Sequence, residues 1–100
     1  MKRVVFACNA GMSTSLLINK IQHVAKEKNV ILEIRAMSLS ELSAANLDVD
    51  AILLGPQVKY GLNRIKSIYA TIPVEAINPM VYGTMNAVAV FEQIMRMTEG

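Results

Sequence analysis

Four short apolar runs are spaced along the chain and separated by longer segments with helical periodicity. The runs are Val4–Ala7, Val30–Ile34, Ala51–Leu54 and Val74–Ile77. The first and third are apolar throughout, which is typical of central parallel strands covered on both faces. Glu33 and Glu75 interrupt the other two runs and indicate edge strands. The pattern therefore predicts a sheet with the strand order 2-1-3-4.

The segments between the runs have the spacing of amphipathic helices. Their apolar faces are Leu17, Ile21 and Val24; Val58, Leu62, Ile65 and Ile68; and Val88, Phe91, Ile94 and Met95. Ser13 can cap the first helix, and Ser38 with Glu41 has capping-box spacing for a short helix after the second strand. Strands and helices that alternate in this way predict an α/β fold, with a four-stranded parallel sheet and helices on both faces.

Length and composition narrow the possible functions. With 100 residues and 53% hydrophobic residues, we expect residues 1–100 to form a single domain around one core. The 10 Lys and Arg and 8 Asp and Glu are dispersed, so nucleic-acid binding is not indicated. One Cys and one His are too few for a disulfide or a cysteine zinc site, so we expect no metal and no cofactor. No segment approaches the about 20 apolar residues of a membrane span, and we expect a cytoplasmic protein.

Ligands of open parallel sheets bind at the carboxyl ends of the strands, where neighbouring crossovers leave in opposite directions. For the predicted order, that point lies between the first and third strands. The two loops that meet there are 8–15 and 55–60. We therefore expect the functional site among these residues.

The first of these loops opens with Cys8 and has features of an oxyanion site. Gly11 allows a backbone conformation in which successive N–H groups converge, and the helix that follows directs its unpaired N–H groups to the same place. The hydroxyls at 13–15 add donors. The same donors favour a thiolate, the nucleophilic form of cysteine. The plainer alternative is that Cys8 is a small buried residue that ends a strand and that the hydroxyls only cap a helix.

The residues 8–15 read C-x-x-G-M-S-T-S, and Leu53–Val58 and Val81–Gly83 follow in order. With these motifs the chain resembles, over essentially its whole length, the IIB component of the lactose/cellobiose family of the bacterial phosphoenolpyruvate-dependent sugar phosphotransferase system. The resemblance implies that Cys8 takes a phosphoryl group from a phosphohistidine of the IIA component. It then passes the group to a sugar held by the membrane IIC permease, such as cellobiose, another β-glucoside disaccharide or a related oligosaccharide. The phosphate-binding loop of the family falls on Asn9, Ala10, Gly11, Met12, Ser13, Thr14 and Ser15.

The loop is also phosphatase-like, since the cysteine-dependent tyrosine phosphatases have a cysteine, five residues, an arginine and then Ser or Thr. Thr14 stands at the position of that arginine. A phosphatase also needs an acid for the leaving group, and the only aspartates, Asp48 and Asp50, are expected at the opposite edge of the sheet. A small phosphatase and a non-catalytic anion-binding α/β module remain the alternatives.

Three further residues are candidates for the surroundings of the site. Gln57 is expected beside the cysteine loop, where its amide could orient the loop. Lys59 could attract a phosphorylated partner electrostatically. Tyr82 belongs to a loop at the same edge of the sheet. Each also has a plain interpretation as an ordinary helix or loop residue.

Overall fold

The computed structural model describes residues 1–9 and 12–99, and a four-stranded parallel sheet with the order β2-β1-β3-β4 forms its centre. The strands are β1 Lys2–Ala7, β2 Leu32–Met37, β3 Ala51–Leu54 and β4 Val74–Ala76. The helices are α1 Met12–Glu27, α2 Leu39–Ala44, α3 Leu62–Ile68, α4 Pro79–Gly83 and α5 Ala87–Thr98, and a 3₁₀ helix, Pro56–Gly61, precedes α3. The predicted fold class and strand order are confirmed.

The core consists of two layers, one on each face of the sheet. Successive side chains of a strand point to opposite faces. Val4 and Phe6 of β1 belong to one layer with residues of α1 and α5, namely Leu17, Ile21, Phe91 and Ile94. Val5 and Ala7 belong to the other layer with residues of α2 and α3, namely Leu42 and Ile65. The apolar stretches of both central strands, Val4–Ala7 and Ala51–Leu54, are therefore buried on both faces, as their uninterrupted apolar sequences predict.

Strand β2 lies further along the chain than the predicted run Val30–Ile34. The reason is the end of α1, where Asn29 adopts a positive φ of 58° and the Val30 N–H donates to the carbonyl of Ala25 at 2.9 Å. These residues complete the helix end, and pairing with β1 extends to Met37. The carboxyl end of β2 consequently reaches the residues that follow β1.

The inward face of α5 differs from the predicted one at Val88, which is half exposed. Asn86 caps the helix by accepting the Ala89 N–H at 3.1 Å, and the helix begins at Ala87. Ala87, Val90, Phe91, Ile94 and Met97 then share the buried face at helical spacing. Val88 follows Ala87 directly and is rotated by about 100° from it, away from the core.

A helix that the sequence pattern did not predict, α4, follows β4. The Asn78 side chain accepts the N–H groups of Met80, at 2.8 Å, and Val81, at 3.4 Å, and Pro79 occupies the first helical position. The pair Asn78-Pro79 thus both ends the strand region and starts a helix. This short helix carries Tyr82. Each helix in residues 1–9 and 12–99 is too short or too polar to cross a bilayer.

Candidate functional site

A cavity of about 190 Å³ opens at the carboxyl end of the sheet. Its lining includes Cys8, Thr14, Ser15, Met37, Ser38 and Glu41. These residues come from the end of β1, the first turn of α1, the end of β2 and the start of α2. The cavity therefore brings the cysteine together with part of the predicted hydroxyl cluster.

Backbone hydrogen bonds fix the position of Cys8 between two strands. The Cys8 N–H donates to the carbonyl oxygen of Met37 at 3.1 Å, which continues the pairing of β1 with β2. On the other side, the Gly55 N–H donates to the carbonyl of Ala7 at 2.8 Å. The Cys8 residue is only 4% exposed. The regular sheet thus holds the backbone of Cys8, and its side chain lines the cavity.

The structure locates three of the seven predicted loop residues. Asn9 is exposed directly after Cys8, and Thr14 and Ser15 reach the cavity from the first turn of α1. Ala10 and Gly11 lie outside the described residues, as do the side chains of Met12 and Ser13. The first turn of this 16-residue helix carries N–H groups that have no partner within the helix, and it is the positive end of the helix dipole.

Thr14, at the position of the phosphatase arginine, is a buried hydroxyl with a specific partner. The residue is 3% exposed, and its Oγ1 lies 2.8 Å from Oη of Tyr82, with either atom able to donate. Tyr82 is half-buried on α4. Tyr82 therefore contacts Thr14, and its part in the site stays a prediction.

The other two candidates are placed differently. Gln57 is exposed on the 3₁₀ helix, and its Oε1 lies 3.0 Å from the point where a Cβ on Gly55 would sit, a point only 3.4 Å from Cβ of Cys8. The Gln57 amide is thus near the cysteine although it does not line the cavity. Lys59 is exposed, and within the described part of the chain it has no hydrogen bond or ion pair with the cavity residues. Its electrostatic role stays a prediction.

Glu41 is a cavity residue that the sequence interpretation assigned only to helix capping. Its N–H donates to Oγ of Ser38 and its Oε1 accepts the Ser38 N–H, both at 3.1 Å. The hydrogen bond that the Ser38 N–H donates to the carboxyl is the largest cause that lowers the pKa of Glu41 from its ordinary value. The capping-box spacing is visible in the sequence. The position of Glu41 at the cavity depends on strand β2, which continues to Met37 and so brings the start of α2 close to Cys8. The wall beside Cys8 therefore carries a negative charge at neutral pH.

Comparison with known proteins gives a consistent result. The family model described as "PTS system, Lactose/Cellobiose specific IIB subunit" matches residues 3–93. The oligo-β-mannoside-specific EIIB component of Bacillus subtilis (strain 168) is 32% identical over 97 residues, which cover 95% of this chain and 94% of that relative.

Two solved structures are also similar. The solution structure of a cellobiose-specific phosphotransferase IIB component protein from Borrelia burgdorferi has a TM-score of 0.79 and 35% identity, and the match covers 97% of this chain and 91% of that one. The lactose-specific IIB component domain from Streptococcus pneumoniae shares the fold, with a TM-score of 0.85, 18% identity and 98% coverage of each chain. The chain belongs to the family of lactose/cellobiose-specific IIB subunits of the sugar phosphotransferase system, and it is a phosphotransferase.

Proposed function

We propose that Cys8 is a phosphoryl carrier between the IIA component and a sugar bound by the IIC permease. The Sγ thiolate attacks the phosphorus of a phosphohistidine on IIA, so that a P–S bond forms as the P–N bond breaks. A sugar hydroxyl then attacks the phosphorus, the P–S bond breaks, the hydroxyl proton passes to solvent and the thiolate is restored. In this proposal residues 1–100 act as one cytoplasmic IIB domain.

The observation that carries the proposal is the position of the only cysteine of the chain at the cavity beside the first turn of α1. N–H groups and the dipole of a helix N-terminus favour anions. The Thr14 and Ser15 hydroxyls add donors at the same wall. A phosphoryl group on Cys8 would thus have its charge balanced without a metal. Asn9 and the undescribed residues Ala10 and Gly11 belong to this proposed cradle.

The sugar is proposed from the family description. The matching model is described as lactose/cellobiose specific, and the relatives named above are specific for oligo-β-mannosides and for cellobiose. We therefore propose cellobiose, another β-glucoside disaccharide or a related oligosaccharide as the acceptor. Because the permease holds the sugar in this scheme, the IIB chain needs to recognise only the phosphoryl group and its two protein partners.

The charged groups of the described residues argue against the phosphatase alternative. Thr14 replaces the arginine that would stabilise a hydrolytic transition state. Glu41 is a carboxylate at neutral pH, and the hydrogen bond from the Ser38 N–H lowers its pKa further, so it is a poor proton donor for a leaving group. Asp50 lies at the amino-terminal end of β3, where its Oδ2 accepts the Arg3 N–H at 2.8 Å.

Mass spectrometry after incubation with phosphoenolpyruvate, the general relay proteins and IIA tests the proposal. We expect one phosphoryl group per chain, and peptide mapping should assign it to Cys8. The matched control is His23→Gln, since His23 is the only histidine and lies exposed on α1 near Glu27. This variant should be phosphorylated as fully as the parent. An unmodified Cys8, or hydrolysis of an aryl phosphate at a phosphatase rate, would overturn the proposal.

A further inference from the structure

The hydroxyl pair of Thr14 and Tyr82 links two parts of the chain that are 68 positions apart. Thr14 lies in the first turn of α1 and lines the cysteine cavity. Tyr82 lies on α4, and the 2.8 Å contact ties that helix to the first turn of α1. Such a short O–H···O distance is typical of a well-formed hydrogen bond.

We propose that Tyr82 is a positioning residue that aims the Thr14 hydroxyl at the phosphoryl group of Cys8. The proposal rests on the carrier function proposed above. In it the Tyr82 O–H donates to Oγ1 of Thr14, which leaves the Thr14 O–H free to donate into the cavity. Each hydroxyl has one proton and two acceptor lone pairs, so Thr14 can accept a hydrogen bond from Tyr82 and donate one to the phosphoryl group at the same time.

The chemistry of the two hydroxyls decides which of them donates in the hydrogen bond between Tyr82 and Thr14. A phenol is more acidic than an aliphatic alcohol, and it is therefore the stronger donor and the weaker acceptor. Hydrogen bonds in a chain polarise one another, so a donor behind Thr14 strengthens the donation of Thr14 to an anion. Hydrogen bonds from O–H groups to charged oxygens are about twice as strong as neutral ones.

The surroundings of Tyr82 keep its phenol in place before any phosphoryl group arrives. The Tyr82 N–H donates to the carbonyl of Asn78 at 3.0 Å, and the Tyr82 carbonyl accepts the Met85 N–H at 3.0 Å. Tyr82 also packs against the core layer that contains α1 and α5. A hydroxyl held in this way adds a directed donor to the cavity without the formal charge that an arginine would bring.

A double-mutant cycle tests the proposal. Tyr82→Phe keeps the packed ring and removes the hydroxyl, Thr14→Val removes the partner, and Thr14→Ser keeps it. We expect Tyr82→Phe to lower the equilibrium constant for phosphorylation by IIA by about tenfold, because the Thr14 hydroxyl loses the donor that directs and strengthens its own hydrogen bond to the charged phosphoryl group. The double variant Tyr82→Phe with Thr14→Val should be no worse than Thr14→Val alone. Thr14→Ser keeps the hydroxyl, so its equilibrium constant for phosphorylation should stay close to that of the parent. When Tyr82→Phe is added to Thr14→Ser, the constant should fall.

Two further measurements distinguish positioning from general stability. The ³¹P NMR signal of the phosphorylated fraction should shift in Tyr82→Phe, because a donor to the phosphoryl oxygens has changed. The matched control is Tyr69→Phe, since the Tyr69 hydroxyl donates to the carbonyls of Leu42 and Ala45 at 2.8 and 2.7 Å, and none of these three residues lines the cavity. This control should lower the thermal midpoint but leave both the ³¹P signal and the equilibrium constant unchanged.

The outcomes separate this inference from the proposed function. If the parent accepts no phosphoryl group on Cys8, the carrier function fails and the inference fails with it. If the parent is phosphorylated but Tyr82→Phe is phosphorylated equally well, the positioning role alone is overturned. Additive losses in the double variant would overturn it as well, because Tyr82 would then act independently of Thr14.

Discussion

Gly61 ends the 3₁₀ helix against the first residue of α2, and replacing it with alanine would strain a contact near the cavity. A Cβ at this position would lie 2.5 Å from Cδ2, 3.0 Å from Cδ1 and 3.2 Å from Cγ of Leu39. Leu39 follows Ser38, the cap residue at the cavity wall. Gly61→Ala must therefore displace the Leu39 side chain or separate the 3₁₀ helix from α2.

The magnitude combines two opposing effects. Overpacking of this kind costs about 1–3 kcal/mol. Gly61 has φ of −89° and ψ of 2°, which alanine also adopts, so the smaller entropy of the unfolded chain returns about 0.4–1 kcal/mol. The middle values of these ranges, about 2 and about 0.7 kcal/mol, leave a net loss of unfolding free energy of about 1.3 kcal/mol, or a decrease of about 5–10 °C in Tm.

Urea unfolding measures this change as a lower midpoint with an unchanged m value. The variant Leu39→Ala removes the atoms that the new Cβ would meet, so the double variant should be about as stable as Leu39→Ala alone. Gly83→Ala is the matched control, since nothing lies within 4 Å of its Cβ position, and it should show only the gain of about 0.4–1 kcal/mol that comes from the smaller entropy of the unfolded chain. Parental stability of Gly61→Ala, or a failure of Leu39→Ala to compensate, would refute the steric reasoning.

Three other substitutions test neighbouring parts of the account. Gly55→Ala should displace the Gln57 amide, whose Oε1 lies 3.0 Å from the new Cβ. The variant should therefore be phosphorylated at the same rate as Gln57→Ala, and unequal rates would contradict the idea that Gly55→Ala acts through Gln57. The hydrogen bond from Arg96 is the main cause that lowers the pKa of Glu75. The ion pair therefore stabilises the folded protein at pH values above the pKa that Glu75 has in the unfolded chain, and this stabilisation is lost as the pH falls through the lower pKa of the folded state. Glu75→Gln should flatten this acidic part of the stability profile in urea unfolding, and an unchanged profile would contradict it. Thr14→Arg should modestly accelerate spontaneous loss of phosphate, measured as phosphoprotein decay, because a guanidinium stabilises the hydrolytic transition state; unchanged decay would contradict that reasoning.

The strand order was predictable because each strand of this sheet has a sequence that matches its exposure. The run Ala51–Leu54 is apolar at every position and is buried on both faces, and Glu33 and Glu75 do lie on edge strands. The capping box of Ser38 and Glu41 is likewise a local signal, and both of its hydrogen bonds are present. Local periodicity and local capping chemistry thus suffice for the fold class and the strand order.

The parts that could not be predicted depend on register and on distant contacts. The end of β2 at Met37 follows from pairing with β1, and this pairing places Glu41 on the cavity wall. The hydrogen bond between Thr14 and Tyr82 requires the folded chain, since no local pattern relates residues 68 positions apart. The apolar residues of this segment can form a helix face that includes Val88 or one that includes Ala87. The start of α5 determines that the face with Ala87 packs against the core.

The lifetime of the phosphocysteine tests the carrier role of Cys8 most directly. The chain is phosphorylated through IIA, separated from its donor and divided between buffer alone and vesicles that contain the IIC permease with cellobiose. The account predicts that the phosphoprotein persists in buffer and is discharged quickly by the vesicles, with sugar phosphate as the product. Rapid release of inorganic phosphate in buffer alone would contradict it, because Cys8 would then be a hydrolytic nucleophile rather than a carrier.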